Sequence, residues 1–396
     1  MSSPAVPGAG VRHPVYLHIG PAKTGTTYLQ QLLWENRDRM RRQGILRPGH
    51  VRDHHYLAAA DLTAAPPPGM TRNEIAGRWA SLVGMIMSHD GPTVVSHERF
   101  ASATRGQARR AVADLGERDV HIIFTARNAR SLHESRYQQT LKSGRTWTFE
   151  EFTRSVLGSG QGTDKPIGHG SQAIEHWGAT VPPERFHVVT MPGPGASRTL
   201  LWERFCEVIG FDVKDAVMET GRVNESIGVV EAELLRRLNA GDGDAWPLDA
   251  QLYVKHRMVP HLLAGRQGQR KISVTDPKAL EALVRQTEKL TSTVRDRGFH
   301  VVGDLAELQA SQAAMPTSSA GPEATSEEVL ELALESLRWC AARVGEVDAE
   351  RKRLSRRVQQ LEQGPSLVRR SLRSAARRTR LLKPARQLRD RVAGES

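Results

Sequence analysis

The chain has 396 residues, 39% of them hydrophobic and 25% charged, which is typical of a soluble globular protein with one large or two ordinary domains. Its net charge of +12 comes from residues 351–396, which hold 15 Lys and Arg against 3 Asp and Glu, so the high pI belongs to a tail. No run approaches about 18 apolar residues, which excludes a membrane-spanning helix.

Residues 1–13 are small, rich in Pro and Gly and without an apolar stretch, so we expect a flexible N-terminus and no signal peptide. A β-rich run, Pro14–Ile19, then leads through a Gly-containing turn into a helical pattern from Thr27 to Met40. Helical patterns separate three further predicted strands, Thr93–Ser96, Val120–Thr125 and Phe186–Thr190. This alternation predicts an α/β fold with a parallel sheet flanked by helices.

The composition changes beyond residue 308. Residues 309–325 are rich in Ser, Ala and Pro without periodicity, which indicates a linker. A capping-box pattern, Thr325 to Glu328, then predicts the start of a helix over residues 326–363. Apolar residues repeat there in steps of three and four, which predicts a coiled coil and therefore a homo-oligomer.

Residues 364–396 form an Arg-rich basic tail without aromatic residues that could stack on bases, so we expect no nucleic acid partner. Two interpretations stay open, namely binding to an anionic membrane surface and a solvated tail without a partner. The two cysteines, Cys206 and Cys340, lack the spacing of a disulfide framework or a zinc site. We therefore expect a reducing, cytoplasmic location, with lipid binding placing the protein on the inner face of the membrane.

The chemistry is concentrated in the loop Gly20-Pro21-Ala22-Lys23-Thr24-Gly25-Thr26-Thr27, between the first strand and the first helix. A helix N-terminus offers unpaired N–H groups and a positive dipole end, and it therefore binds phosphate or sulfate. Gly25 permits close approach, Lys23 adds a charge, and the threonines add hydroxyl groups. A nucleotide-hydrolysing P-loop has its Lys after the last Gly, whereas Lys23 precedes Gly25.

Lys-Thr-Gly-Thr-Thr after a strand resembles the 5′-phosphosulfate loop of sulfotransferases that use 3′-phosphoadenosine 5′-phosphosulfate (PAPS). The resemblance covers residues 14–308 and implies a sulfotransferase domain with PAPS as donor and no metal. It implies that the residues of the phosphosulfate loop are Pro21, Ala22, Lys23, Thr24, Gly25, Thr26 and Thr27. Weaker similarities lie at Val189–Pro192, Leu201–Phe205, Asn224–Ser226 and Gly298–Leu305.

In that family an Arg at the end of the third strand and a Ser eight residues later hold the 3′-phosphate, and Arg127 and Ser135 match this spacing. Both residue types suit a phosphate, because Arg presents a planar fork of donors and Ser a short hydroxyl. The pattern usually has Pro where Ala129 stands. The family often has a basic loop over the nucleotide where this chain has Arg266, Arg270 and Lys271, so the resemblance assigns Arg270 to PAPS.

Sulfuryl transfer requires one group that takes the acceptor proton and another that stabilises the leaving oxygen, which we assign to Lys23. Ser96-His97-Glu98 follows a predicted strand, at the edge where open α/β sheets place their sites. Glycan-modifying sulfotransferases often have Glu there, so Glu98 is the predicted base and His97 the alternative. Strand alternation predicts that these two side chains point in opposite directions.

The acceptor stays open between a glycan, a glycolipid and a small molecule. His54–Tyr56 is either a weak candidate for acceptor binding or a solvated loop. Two other functions compete with sulfuryl transfer. A P-loop nucleotide-dependent kinase requires a Lys after the Gly and a carboxylate for magnesium. A non-catalytic, membrane-associated scaffold would instead act through the coiled coil and the basic tail, with an inactive α/β domain.

Overall fold

The computed structural model describes residues 13–157, 170–193, 195–218, 226–241, 253–310 and 323–362. Four predicted segments lie outside the described residues: the N-terminus up to residue 12, Asn224–Glu225, residues 311–322 of the linker, and the basic tail 364–396. Internal contacts divide the chain into a unit that ends at Val329 and a unit that begins at Leu330.

Within the described residues, five parallel strands form one sheet in the order β2-β1-β3-β4-β5. The strands are β1 Pro14–His18, β2 Thr93–Ser96, β3 Asp119–Ala126, β4 Phe186–Thr190 and β5 His300–Val302. In the register, Leu17 of β1 lies between Val95 of β2 and Ile122 of β3. The predicted parallel α/β sheet and its four predicted strands are confirmed.

Helices flank the sheet. Those before β3 are α1 Thr26–Glu35, α2 Arg37–Arg42, α3 His54–Leu62, α4 Arg72–Ile75, α5 Arg78–Met87 and α6 Arg105–Asp114. Those after β3 are α7 Ala129–Lys142, α8 Phe149–Leu157, α9 Gly170–Trp177, α10 Leu200–Ile209, α11 Val229–Ala240, α12 Pro277–Asp296, α13 Glu307–Ala310 and α14 Ser326–Glu362. Short 3-10 helices cover Glu98–Ser102 and Pro183–Arg185, and a π-helical segment covers Val254–Leu263.

The long helix α14 confirms the predicted C-terminal helix, and its start has the predicted capping box. The backbone N–H of Thr325 donates to Glu328 Oε2 (2.8 Å), and the backbone N–H of Glu328 donates to Thr325 Oγ1 (3.2 Å). These two bonds satisfy donors that a helix N-terminus otherwise leaves unpaired. Among the described residues, no helix is long and apolar enough to cross a membrane.

The helix predicted from Thr27 to Met40 is interrupted at Asn36, which separates α1 from α2. The Asn36 amide donates to Leu32 O (3.0 Å) and Val217 O (2.9 Å), and its Oδ1 accepts from the Val217 N–H (2.8 Å). These bonds fix the buried Asn36 to a distant segment. The prediction of one continuous helix is therefore wrong, because local periodicity does not report a partner so far away in sequence.

Apolar side chains cover both faces of the sheet. Leu17, Ile122 and Phe124 pack into one hydrophobic cluster, and their neighbours Val94 and Ile123 pack into another. Burial on both faces explains why the strands read as continuous apolar runs rather than as alternating patterns.

The strand order determines where a ligand site forms. The chain leaves β1 towards β2 on one side and later returns to β3 on the other side of β1. In open α/β sheets, ligands bind beyond the carboxyl ends of the strands at such a reversal of direction. The loop after β1, the segment after β2 and Arg127 after β3 all lie at this edge.

Candidate functional site

The loop Gly20–Gly25 connects β1 to α1 and presents the N-terminus of α1. Lys23 and Gly25 have left-handed backbone conformations, with φ of 74° and 82°. The first turn of α1 contains neither an acidic residue nor a side-chain cap, so its partial positive charge stays available. Backbone N–H groups in such turns converge on one side, and the loop therefore has the features of an anion site.

The predicted loop residues differ in their exposure. Ala22 and Thr27 are exposed, Lys23 and Gly25 are half-buried, and Pro21, Thr24 and Thr26 are buried. The Thr24 hydroxyl donates to Pro21 O (2.7 Å) and lies 2.5 Å from Thr125 Oγ1. This hydroxyl therefore stabilises the loop internally.

A buried hydrogen-bond network lies beneath the loop and includes a residue that the sequence did not indicate, His18. His18 Nδ1 lies 2.7 Å from Ser96 Oγ, and its Nε2 lies 3.3 Å from Thr125 Oγ1. The network joins the ends of β1, β2 and β3 and, through Thr24, the loop. Gly20 lies directly above it, since a Cβ there would approach Thr125 Oγ1 to 1.9 Å. Only glycine therefore fits at the end of β1.

Burial lowers the pKa of His18 to about 3, so its imidazole is neutral in the folded protein. Below about pH 6.5 the unfolded chain binds a proton at His18 that the folded chain does not. The free energy of unfolding therefore decreases as the pH is lowered from about 6.5 towards the pKa of the folded state. We expect His18→Asn to lower the free energy of unfolding by roughly 2–3 kcal/mol at neutral pH. This deficit should shrink by about 1.4 kcal/mol per pH unit between about pH 6 and pH 4.

Urea denaturation of wild type and His18→Asn at several pH values measures this difference. His50→Asn, which removes an exposed histidine, is the matched control and should leave the pH dependence unchanged. A deficit that stays constant with pH would show that His18 is not neutral in the folded state.

Arg127 connects the loop to α7. Its Nη1 donates to Lys23 O (2.8 Å) and to Ser135 Oγ (3.1 Å). The structure thus brings Lys23, Arg127 and Ser135 together at the β1/β3 edge. Burial lowers the pKa of Arg127, and the negative charge of Glu134 partly offsets this decrease. The guanidinium therefore remains a cation.

Ala129 occupies the first position of α7, where the related sequence pattern has Pro. Its N–H donates to Thr287 Oγ1 of α12 (3.1 Å), a bond that proline could not make. Asn128 caps the same helix, because its Oδ1 accepts from the Ser131 N–H (2.7 Å). The departure from the pattern therefore has a packing reason and leaves the helix start intact.

A second lysine, Lys142, belongs to the loop region and was missed by the sequence analysis. It lies seven residues after Ser135, two turns along the same face of α7. Burial, followed by the charge of Lys23, lowers the pKa of Lys142 to about 8. Among the described residues no carboxylate pairs with Lys142. The two ammonium groups thus increase the positive potential beside the loop. The seven-residue spacing from Ser135 is the sequence signal that could have identified Lys142.

Glu98 and His97 converge after β2, so the predicted divergence of their side chains is wrong. Strand β2 ends at Ser96 and a 3-10 helix begins at Glu98, which turns the backbone. His97 Nε2 consequently lies 3.8 Å from Glu98 Oε2. Glu98 Oε2 also accepts from the Gln30 amide (2.7 Å), and Gln30 lies one turn from the start of α1. This bond connects the candidate base to the helix whose N-terminus forms the candidate anion site.

The protonation of this pair follows from its contacts. Burial acts to raise the pKa of Glu98, but His97, the Gln30 amide and the backbone N–H of Glu98 outweigh it and lower this pKa. Burial lowers the pKa of His97, and its Nδ1 accepts from the Arg99 N–H (3.1 Å), which leaves the ring proton on Nε2. At neutral pH the pair is a carboxylate beside a neutral imidazole.

Arg270 makes its side-chain hydrogen bonds near the start of α14. Its Nη2 donates to Glu328 Oε2 (2.7 Å) and Oε1 (2.9 Å), and Arg266 Nε lies 3.3 Å from Glu231 Oε1. Lys271 is exposed. Arg266 and Arg270 of the basic loop are thus each paired with a carboxylate in this structure.

The segment His54–Tyr56 lies at the start of α3 and is packed against the end of β2. His55 is buried, its Nδ1 accepts from the Ser96 N–H (3.2 Å), and its Nε2 lies 2.8 Å from Pro48 O. The Tyr56 ring packs against His97 in a tilted arrangement, with centroids 5.1 Å apart. The reading as a solvated loop is therefore wrong.

In the described part of the chain, no group of three or more His, Cys, Asp or Glu side chains is arranged to hold a metal ion. Comparison with models of known protein families gives no match, and comparison with curated proteins gives no significant match.

Proposed function

We propose that the protein is a sulfotransferase that moves the sulfuryl group of PAPS to a hydroxyl or amine of an acceptor. The observation that carries the proposal is the meeting of Lys23, Arg127 and Ser135 at the β1/β3 edge, with Glu98 connected to the same helix N-terminus. PAPS carries a 5′-phosphosulfate and a 3′-phosphate. A loop with an uncapped helix end and an Arg–Ser pair suits two such anionic groups.

In the proposed reaction the acceptor oxygen or nitrogen forms a bond to sulfur as the bond from sulfur to the bridging phosphate oxygen breaks. Glu98 takes the acceptor proton, since it is ionised at neutral pH. Lys23 and the loop N–H groups stabilise the charge on the leaving adenosine 3′,5′-bisphosphate. His97 Nε2, close to the Glu98 carboxylate, helps to orient the base. The scheme predicts activity that does not depend on an added metal.

The position of the lysine favours this function over a nucleotide-dependent kinase. Lys23 lies two residues before Gly25, in a left-handed conformation within the loop, whereas a kinase-type P-loop carries its Lys at the helix start. Glu98, which would have to bind magnesium in a kinase, instead accepts a hydrogen bond from Gln30.

Calorimetric titration with adenosine 3′,5′-bisphosphate, and separately with ATP and magnesium, tests the proposed donor. We expect micromolar binding of the bisphosphate and weak binding of ATP. Arg127→Ala should weaken bisphosphate binding at least about tenfold, because a charge-assisted bond to phosphate contributes roughly 1.5–3 kcal/mol. Arg110→Ala, which removes an exposed arginine on α6, is the control. Tight ATP binding without bisphosphate binding would favour the kinase.

We further propose that α14 mediates self-association. Apolar residues of its heptad series are more than half exposed: Leu330, Leu337, Val344, Val347, Leu354 and Val358. Exposing these apolar side chains to water costs free energy, and packing against the same helix of a second copy would bury them. Membrane binding by the tail 364–396, and with it the cytoplasmic location at the inner face, remains a prediction.

We expect Leu337→Lys/Val344→Lys to convert the oligomer to a monomer, because both side chains would occupy the seam between helices. Light scattering coupled to size-exclusion chromatography measures the mass. Ala342→Lys, an exposed position between the apolar ones, should keep the wild-type mass. A monomeric wild type at about 10 μM would contradict the coiled coil.

A further inference from the structure

A buried cationic side chain without an anionic partner lies beside the candidate site. Arg47 follows Leu46, whose backbone pairs with Thr93 at the start of β2. Arg47 is only 7% exposed. Its Nη2 donates to Arg52 O (3.3 Å), but Nε and Nη1 are buried and have no hydrogen-bond partner among the described residues.

The groups around Arg47 do not neutralise it. Its guanidinium lies 4.9 Å from the centroid of the Trp34 ring, and Arg37 lies 4.5 Å from the same centroid. Burial, followed by the charges of Arg37 and Arg52, lowers the pKa of Arg47 to about 10, so the side chain is charged at neutral pH. A buried charge with unpaired donors costs free energy unless an anion pairs with it.

His54 provides a second unpartnered group in the same region. It is 9% exposed, and its buried Nε2 has no hydrogen-bond partner in the described part of the chain. Burial lowers the pKa of His54, so a neutral ring can donate or accept at Nε2. The next residue, His55, accepts from the backbone of Ser96, two residues before Glu98. Burial lowers the pKa of His55, and the charges of Arg47 and His97 add to this effect, so Arg47 and His54 lie near the segment that carries the candidate base.

We propose that Arg47 and His54 form a subsite for an oxyanion group of the acceptor, a carboxylate or a sulfate ester. The acceptor is then an acidic molecule, such as a uronate-containing or already sulfated sugar, rather than a neutral one. Arginine suits this role because its planar donors match both groups and its charge persists at any working pH. The inference rests on the proposed function, since an acceptor exists only for a transferase.

Anion binding to the full-length protein tests the subsite without an activity assay. Sodium glucuronate and sodium sulfate are titrated by calorimetry, with adenosine 3′,5′-bisphosphate at saturation so that the donor loop is occupied. Glucose and sodium chloride at matched ionic strength are the blanks. We expect at least one of the two anions to bind wild type, and Arg47→Met to weaken that binding about tenfold or more. Comparing the two anions distinguishes a carboxylate from a sulfate ligand.

Arg37→Met is the matched control. Arg37 stacks on the same Trp34 ring and removing it changes the net charge equally, but its side chain is 41% exposed and lies beside Asp38. It should keep the anion affinity of wild type to within about threefold. An equal loss in both variants would mean that general charge attracts the anion, and would overturn the subsite.

Thermal unfolding without any anion separates a binding role from a structural one. Arg47→Met should unfold at the same temperature as wild type or above it, because the substitution removes an unpaired buried charge. A lower Tm, or a failure to fold, together with wild-type anion affinity in the folded variant Arg47→Lys, would assign Arg47 to the fold. Absence of any anion effect on wild type would equally overturn the proposal.

The same titrations keep the two proposals apart. Arg47→Met should bind the bisphosphate as wild type does, because the side chain of Arg47 contacts Arg52 and Trp34, which lie outside the loop. If wild type does not bind the bisphosphate, the donor assignment fails. The anion titrations are then repeated without nucleotide in Lys23→Ala, where the Arg47 subsite can still be measured.

Discussion

Lys23→Ala is expected to slow the release of adenosine 3′,5′-bisphosphate from PAPS on the order of 10²- to 10³-fold. Removing one preorganised group that stabilises developing charge typically has an effect of this size. Lys23 stands in the loop itself, and its backbone carbonyl is held by Arg127, so the alanine variant should keep the loop conformation. The loss should therefore be in kcat more than in the affinity for the bisphosphate.

Release of the bisphosphate, with water or an added acceptor taking the sulfuryl group, measures the rate without knowledge of the natural acceptor. Lys214→Ala is the matched control, because Lys214 is exposed and lies 3.9 Å from Asp212. Lys142→Met should have a smaller effect than Lys23→Ala and should act mainly on donor affinity. A rate that survives in Lys23→Ala would remove Lys23 from the mechanism.

Glu98→Gln is expected to lower kcat roughly 10²- to 10⁴-fold, because it removes the group proposed to take the acceptor proton. Glutamine retains the shape of the side chain and an oxygen that can accept from the Gln30 amide, so the local structure should persist. Bisphosphate affinity should stay at the wild-type value. The rate is measured with the best acceptor from a panel of uronate-containing, neutral and phenolic compounds.

The pH dependence distinguishes Glu98 from His97 as the base. The pKa of Glu98 is lowered, so its carboxylate persists to acid pH, and the wild-type rate should fall only as the pH drops below about 4.5. His97→Asn should retain most of the rate at neutral pH, but its acid limb should shift to higher pH, because His97 no longer lowers the pKa of Glu98. A large loss in His97→Asn with little loss in Glu98→Gln would assign proton transfer to the imidazole.

The elements that the sequence predicted best are those with local causes. The strands β1 to β4 are continuous apolar runs because both faces of the sheet are buried, and Thr325 with Glu328 starts α14 through contacts within one turn. The position of the loop Gly20–Gly25 between β1 and α1 likewise follows from adjacent residues. Such features require no knowledge of distant contacts, so the residue pattern is sufficient.

The predictions that failed involve partners distant in sequence or a change of backbone direction. Asn36 ends α1 because it bonds to Val217, and no local pattern indicates this partner. Glu98 and His97 converge because the backbone turns into a 3-10 helix at Glu98, directly after the extended His97. For Asn36 the competing interaction is tertiary and outweighs the local preference, whereas for His97 and Glu98 the cause is the local turn of the backbone.

The amino-acid sequence by itself determined the α/β class, and it supplied the candidate loop between β1 and α1 and the candidate residues Lys23, Arg127, Ser135 and Glu98. The tertiary structure alone decided which residues surround them: His18 beneath the loop, Lys142 beside Lys23, and Arg47 buried without an anion. The physical reason is that burial and long-range contacts decide the state of each group. They make His18 neutral, place Lys142 near the charge of Lys23 and leave donors of Arg47 unpaired among the described residues. These quantities depend on distances through space, which a linear sequence does not contain.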